Sequence, residues 1–259
     1  MNTNRILQVQ NITKIYGKGV NQTTALSGIS FDVLEGEFLG IMGASGSGKT
    51  TLLNCISTML KPTTGKILLN GDDISSFKGK SLANYRGNKI GYLYQSFELL
   101  DNLTARENII LPLSLHGVSN QNAEKALSSL AMHLDITDVL DKFPSQMSGG
   151  QKQRTAAARA FISDPDIVLA DEPTGALDSK NAWVLLDKLS TLNREENKTI
   201  VMVTHDANAA SYCSRILFIQ DGTIFHELRK NTKNETPAMF YERIVTVIAQ
   251  LGGGSANVL

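Results

Sequence analysis

The chain has 259 residues, enough for one large domain or two small ones. Lys and Arg number 25 and Asp and Glu number 25, and the resulting zero net charge argues against a protein whose main task is to coat nucleic acid. Two cysteines, Cys55 and Cys213, are too few for a disulfide framework and suit a reducing compartment. No apolar run reaches the ~18 residues of a bilayer span. Met1–Gln10 lacks the apolar stretch of a secretion signal.

Ile6–Ile12, Ile29–Val33 and Glu37–Met42 alternate apolar and polar residues, and the period of two predicts strands. A glycine-rich loop, Gly43–Thr50, leads into a helix predicted over Lys49–Leu60, which the pre-proline position Lys61 brings to an end. Lys66–Leu69 reads as a strand entering a turn at Asn70-Gly71, and Lys89–Tyr94 as a strand ending at Gln95. From Phe97 to Phe143 helical runs such as Asn122–Leu134 replace strands, which predicts a helical insertion. A helix follows over Gln151–Ile162. Asp166–Ala170 and Thr199–Thr204 are apolar without alternation, as strands of a parallel sheet buried on both faces would be. Arg215–Gln220 and Thr223–His226 flank Asp221-Gly222, a hairpin signal. Last, Thr236 can cap a helix beginning at Pro237 and ending at Gly252-Gly253-Gly254. Its face Phe240, Ile244, Val247, Ile248 and Leu251 either covers the protein's own core or docks a partner.

Gly43-Ala44-Ser45-Gly46-Ser47-Gly48-Lys49-Thr50 fits G-x-x-x-x-G-K-[ST] between a strand and a helix. The glycines let successive N–H groups point at phosphate oxygens, Lys49 offers a point charge, and Thr50 offers a hydroxyl to Mg²⁺. Asp171-Glu172 ends a buried strand, where an acid faces the ligand crevice. Asp171 is placed to hold Mg²⁺, and Glu172 to orient and deprotonate the attacking water. Ser148-Gly149-Gly150-Gln151 opens a helix, either as a second anion site or as an ordinary capped start. His205, after another buried strand, could hydrogen-bond a γ-phosphate or be a structural histidine. Gln95 could reach the metal or the water, and Tyr16 could stack on adenine or sit in the core. There is no H-E-x-x-H, no C-x-x-C and no G-x-S-x-G, so neither a protein-built metal site nor a nucleophile elbow is expected.

In chain order, Tyr16, Gly43–Thr50, Gln95, Ser148-Gly149-Gly150-Gln151, Asp171-Glu172, Ala176-Leu177-Asp178 and His205 resemble the full motif set of an ATP-binding cassette ATPase, over about Leu7–Glu227. Met147 stands where that family usually has Leu, a swap that keeps volume and apolarity. The resemblance implies an α/β P-loop NTPase fold with a mostly parallel central sheet, an N-terminal antiparallel β subdomain and a helical subdomain at about 97–160. The nucleotide-binding domain would span 1–229, and 230–259 would be a C-terminal extension with one amphipathic helix. It further implies ATP and Mg²⁺ as ligands. ATP would be bound by Tyr16, Gly43, Ala44, Ser45, Gly46, Ser47, Gly48, Lys49, Thr50, Thr51, Gln95, Ser148, Gly149, Gly150, Gln151 and Asp178. Thr50, Gln95 and Asp171 would serve the metal, and Glu172, His205 and Lys49 the chemistry.

A head-to-tail homodimer is implied as well, with Asp178 crossing the interface. It would drive an integral membrane permease from the cytoplasmic face of a bacterial membrane, and no nucleic acid is expected as a partner. DNA-handling relatives carry a long coiled coil between the two nucleotide motifs and ribosome-binding relatives carry two cassettes. This chain has neither sustained heptads nor a second cassette. More finely, Tyr94–Leu100, Leu103–Asn108 and Pro112-Leu113 are similar to the branch of macrolide exporters, lipoprotein-release and cell-division ATPases. Phe240-Tyr241 and Leu251-Gly252-Gly253 are similar to the bacitracin-type peptide-resistance transporters, which would add a sensor histidine kinase as a partner.

Overall fold

A computed structural model describes residues 4–231 and 234–252. Strands β1 (Arg5–Tyr16), β2 (Thr23–Leu34) and β3 (Phe38–Met42) precede helix α1 (Lys49–Ile56). Then come β4 (Thr64–Leu69), β5 (Asp72–Asp73), α2 (Gly79–Asn84) and β6 (Ile90–Leu93). The helices α3 (Ala105–Leu115), α4 (Asn120–His133) and α5 (Gly149–Phe161) follow, with β7 (Ile167–Asp171) after them. The chain continues through α6 (Ser179–Glu195), β8 (Ile200–Thr204), α7 (Ala207–Ala210), β9 (Arg215–Gln220), β10 (Thr223–Arg229) and α8 (Pro237–Gly252).

Two sheets divide the strands. One is antiparallel, in the order β2-β1-β4-β5. The other runs β10-β9-β3-β8-β7-β6, parallel from β9 to β6 with β10 antiparallel at the edge. The sequence reason is plain in β3 and β8, where every residue is buried, as strands covered on both faces must be. One apolar cluster lies between the antiparallel sheet and the parallel one and includes α1. The other joins the opposite face of the parallel sheet to α3–α8. Loops after β3, β7 and β8 therefore emerge together at the carboxyl edge of the parallel sheet, where open α/β sheets place ligands.

Several elements differ from the sequence reading. β1 and β2 are hairpin arms of 12 residues each. Helix α1 stops at Ile56 instead of Leu60, because Thr58 turns left-handed (φ 64°) before the proline is reached. The helix α6 was not predicted at all. Met147 is buried in the helical cluster, as its apolarity requires. In α8, Thr236 accepts the Met239 N–H at 3.2 Å, Phe240 and Ile244 are fully buried, and Ile248 stays 39% exposed. The helix thus covers the protein's own core with its first turns. The Leu251 side chain and Gly253-Gly254 lie outside the described residues.

Candidate functional site

The loop from Gly43 to Gly48 is held by its own chain. A Cβ at Gly43 would collide with the Ile219 carbonyl, and one at Gly48 with the Ala25 carbonyl, where φ is also +103°. Lys49 is buried, and its Nζ donates to the Gly43 and Ala44 carbonyls at 2.8 and 2.9 Å. Burial pulls the Lys49 pKa below its ordinary value, against the opposing pull of Glu172 and Asp171. Gly48 gives α1 no side-chain cap, so the first-turn N–H groups of Lys49, Thr50 and Thr51 meet no capping oxygen. The Ser47 hydroxyl is buried without a partner. An uncapped helix start, an orphaned hydroxyl and a folded-back ammonium fit a phosphate chain.

Thr50 donates its hydroxyl to Asp171 Oδ1 at 3.1 Å. Burial raises the Asp171 pKa and Glu172 adds to the rise, while the Thr50 bond, Lys49 and Tyr92 oppose it. A hydroxyl and a carboxylate side by side are hard oxygen donors of the kind Mg²⁺ takes alongside phosphate oxygens and water, so the residues present fit that ion. Glu172 follows in a left-handed conformation (φ 45°), its N–H fixed to the Val203 carbonyl at 2.9 Å. That twist aims its carboxylate at His205, whose Nδ1 stands 2.7 Å from Oε2. Lys49, Thr50, Asp171, Glu172 and His205 are therefore brought together, from three neighbouring strand ends.

Other residues stand apart. Gln95 is exposed, lies against Gly175 and makes no hydrogen bond to Thr50 or Asp171. Thr51 is half-buried in α1. Tyr16, at the end of β1, is 40% exposed and so is no core residue. Asp178 caps α6, accepting the Asn181 N–H at 2.9 Å and its side-chain amide at 2.6 Å, and these bonds hold its carboxyl below the usual range. Ser148 and Gln151 close a capping box on α5: Gln151 N–H donates to Ser148 Oγ at 3.3 Å, and Ser148 N–H to Gln151 Oε1 at 2.9 Å. The Gln151 side chain is thereby engaged within its own helix. Ser148 and Gly149 are exposed, and none of Ser148–Gln151 lines the cleft of 510 Å³ formed by Met42, Gly43–Ser47, His205, Phe218–Asp221, Phe225 and Ile248.

Three residues escaped the sequence reading. Gln153, fully buried, donates to the carbonyls of Tyr94 at 2.9 Å and Pro173 at 2.6 Å, tying the Gln95 strand end to the Glu172 turn. Arg159 clamps the Phe97 carbonyl at 2.9 Å and that of Glu98, holding two consecutive left-handed residues. Asn181 packs against Gly150, where any Cβ would meet its side chain. A charged residue among the alanines of α5 signalled Arg159, the spacing of three from Asp178 signalled Asn181, and Gln153, within the polar stretch Gln151–Thr155, carried no such signal.

The fold and the cluster at the sheet edge define a P-loop nucleoside triphosphatase, and the family described as ABC transporter matches residues 26–175. The chain belongs to the ABC transporter family, among its ATPase subunits. It is 49% identical over 248 residues to the bacitracin export ATP-binding protein BceA of Halalkalibacterium halodurans, covering 96% of this chain and 97% of that protein. It is 42% identical over 221 residues to the macrolide export ATP-binding/permease protein MacB of Syntrophobacter fumaroxidans, covering 85% of this chain and 31% of that one. Among solved structures it is similar to the dimeric, post-hydrolysis ATP-binding cassette MJ0796 bound to ADP and Pi. That likeness has 38% identity and a TM-score of 0.78, over 86% of this chain and 98% of that one. Among the described residues no helix is long and apolar enough to cross a membrane.

Proposed function

We propose that the chain is the ATP-hydrolysing motor of a bacterial transporter that protects the cell from peptide antibiotics such as bacitracin. It works as a homodimer on an integral membrane permease, at the cytoplasmic face of the membrane. The observation that carries this reading is the reach of the likeness to BceA: at 96% of the chain it has to run into α8, whereas the likeness to MJ0796 covers 86%. The match to MacB favours a second reading, macrolide export, with lipoprotein release and cell division as other tasks of the same branch. The resemblance of the C-terminal segment to the bacitracin-type systems extends the partners to a sensor histidine kinase.

In this reading two copies close head to tail. ATP lies on Gly43–Thr50 of one copy, under Ser148, Gly149 and Gly150 of the other, with Tyr16 on the adenine and Asp178 crossing between them. Lys49 leaves the Gly43 and Ala44 carbonyls for the β- and γ-phosphates. Glu172 accepts the proton of the attacking water, and His205, hydrogen-bonded to it beforehand, turns to the γ-phosphate. Thr50, Asp171 and Gln95 would hold Mg²⁺, which would supply charge to neutralise the phosphate oxygens.

The test is made in cells that depend on this chain and its permease. Glu172→Gln should abolish bacitracin resistance while the chain still binds ATP. Unchanged bacitracin resistance together with new macrolide sensitivity would move the assignment to the second reading. A bacitracin-responsive reporter measured in the same variant tests the sensor partner, and a full response there removes the link between hydrolysis and signalling.

A further inference from the structure

The exposed ring of Tyr16 is held from beneath. Lys14 and Tyr16 stand two residues apart on β1, on one face of the strand. The Lys14 ammonium sits over the Tyr16 ring, 5.2 Å from its centroid, inside the ~6 Å range of a cation–π contact. The same ammonium donates to the Lys61 carbonyl at 2.8 Å, so it is anchored to backbone. Thr63 secures this corner, with Thr63 N–H on the Thr13 carbonyl at 2.8 Å and Ile15 N–H on Thr63 Oγ1 at 3.0 Å.

The strand end is also tied to the phosphate loop. Between Lys14↔Leu26 and Ile15↔Thr24 the register of β1 and β2 leaves Ala25 as an extra residue. The Ala25 carbonyl is pushed against Gly48 and Gly222. Gly222 in turn donates to the Ser47 carbonyl at 3.2 Å. The strand that carries the ring and its ammonium is thus joined through backbone to the phosphate loop, and the ring is held by Lys14 before any ligand arrives.

We infer that Lys14 is a positioning residue for the nucleotide base: it pins the Tyr16 ring, so that stacking costs no ordering of that side chain. This rests on the reading of Tyr16 as the adenine-stacking residue. The cation makes the ring face beneath it unavailable and lowers the side-chain entropy that binding would otherwise remove.

The test measures equilibrium binding of ATP and of inorganic tripolyphosphate, which has no base, to the purified full chain. Lys14→Ala should weaken ATP about threefold and leave tripolyphosphate unchanged, while Lys14→Arg should stay near the parent. In a Tyr16→Ala background, Lys14→Ala should add nothing. Equal ATP binding by parent and Lys14→Ala overturns the inference alone. Equal weakening of ATP and tripolyphosphate also overturns it, because Lys14 would then act on the loop or the fold. A parent chain that binds no ATP removes the functional reading beneath it.

Discussion

The Gly43–Thr50 loop and the Ser148–Gln151 segment are both glycine-rich helix starts, yet their hydrogen bonding differs. Gly48 leaves α1 without a side-chain cap, Lys49 is buried against its own loop, and the Ser47 hydroxyl has no partner. At α5 the reciprocal box of Ser148 and Gln151 satisfies the N–H groups of those two residues and leaves the glycine N–H groups between them outside the box. One start has unmet donors and faces its own chain. The other has two of its donors met by its own cap, and Ser148 and Gly149 face outward. A glycine-rich helix start is therefore not by itself a complete anion site: the groups gathered around it decide, and at Ser148 this chain brings no lysine or buried hydroxyl of its own to face an anion, as it does at the phosphate loop.

The most demanding test of the comparison separates chemistry from binding on the phosphate-loop side. Glu172→Gln should lower turnover by about a thousandfold with ATP affinity kept, because an amide takes no proton. Lys49→Ala should lose both, as equilibrium binding and single-turnover assays would reveal. The same side of the molecule carries α8, whose Ile248 lines the cleft. Phe240→Ala should lower stability by about 3–5 kcal/mol in denaturant unfolding, since a fully buried aromatic ring is removed. A loss under about 1 kcal/mol would detach α8 from the core.

The signature side is sharpened by Ser148→Asp. Aspartate caps a helix as well as serine does, so stability should stay within about 0.5 kcal/mol of the parent. Turnover should still fall by about a hundredfold, because a carboxylate would meet a phosphate of the second copy. Retained turnover would reduce Ser148 to a cap. The smallest effect concerns the base of α8. Burial favours a protonated Glu235, but the bonds from Arg243 and from the Asn231 N–H outweigh it and hold the carboxyl below its ordinary value. A depressed acid contributes stability above its unfolded value of about 4.3 and loses it as pH falls through the folded one. Glu235→Gln should therefore cost no more than about 1 kcal/mol at pH 7, with the difference shrinking as the pH falls below about 4.3 in thermal unfolding.

Much of this was legible in the residues. The apolar runs around β7 and β8 announced a parallel sheet, and strand ends at Asp171-Glu172 and His205 announced its ligand edge, because burial and strand polarity both follow from local pattern. The helix α6 was hidden in plain view: Leu185, Leu186, Leu189 and Leu192 keep helical spacing after the cap Asp178. What could not be read were contacts made by backbone geometry across the fold. The left-handed turn at Glu172 that delivers its carboxylate to His205, and the Gln153 bridge between two carbonyls, depend on neighbours 20 to 60 positions away in sequence.

Gly150 has no room beside Asn181, and Asn181 is bonded twice to Asp178, so the beginnings of α5 and α6 are one mechanical piece. Any side chain at position 150 would have to push Asn181 away from the Asp178 cap, so the two helix starts accept or refuse a change together.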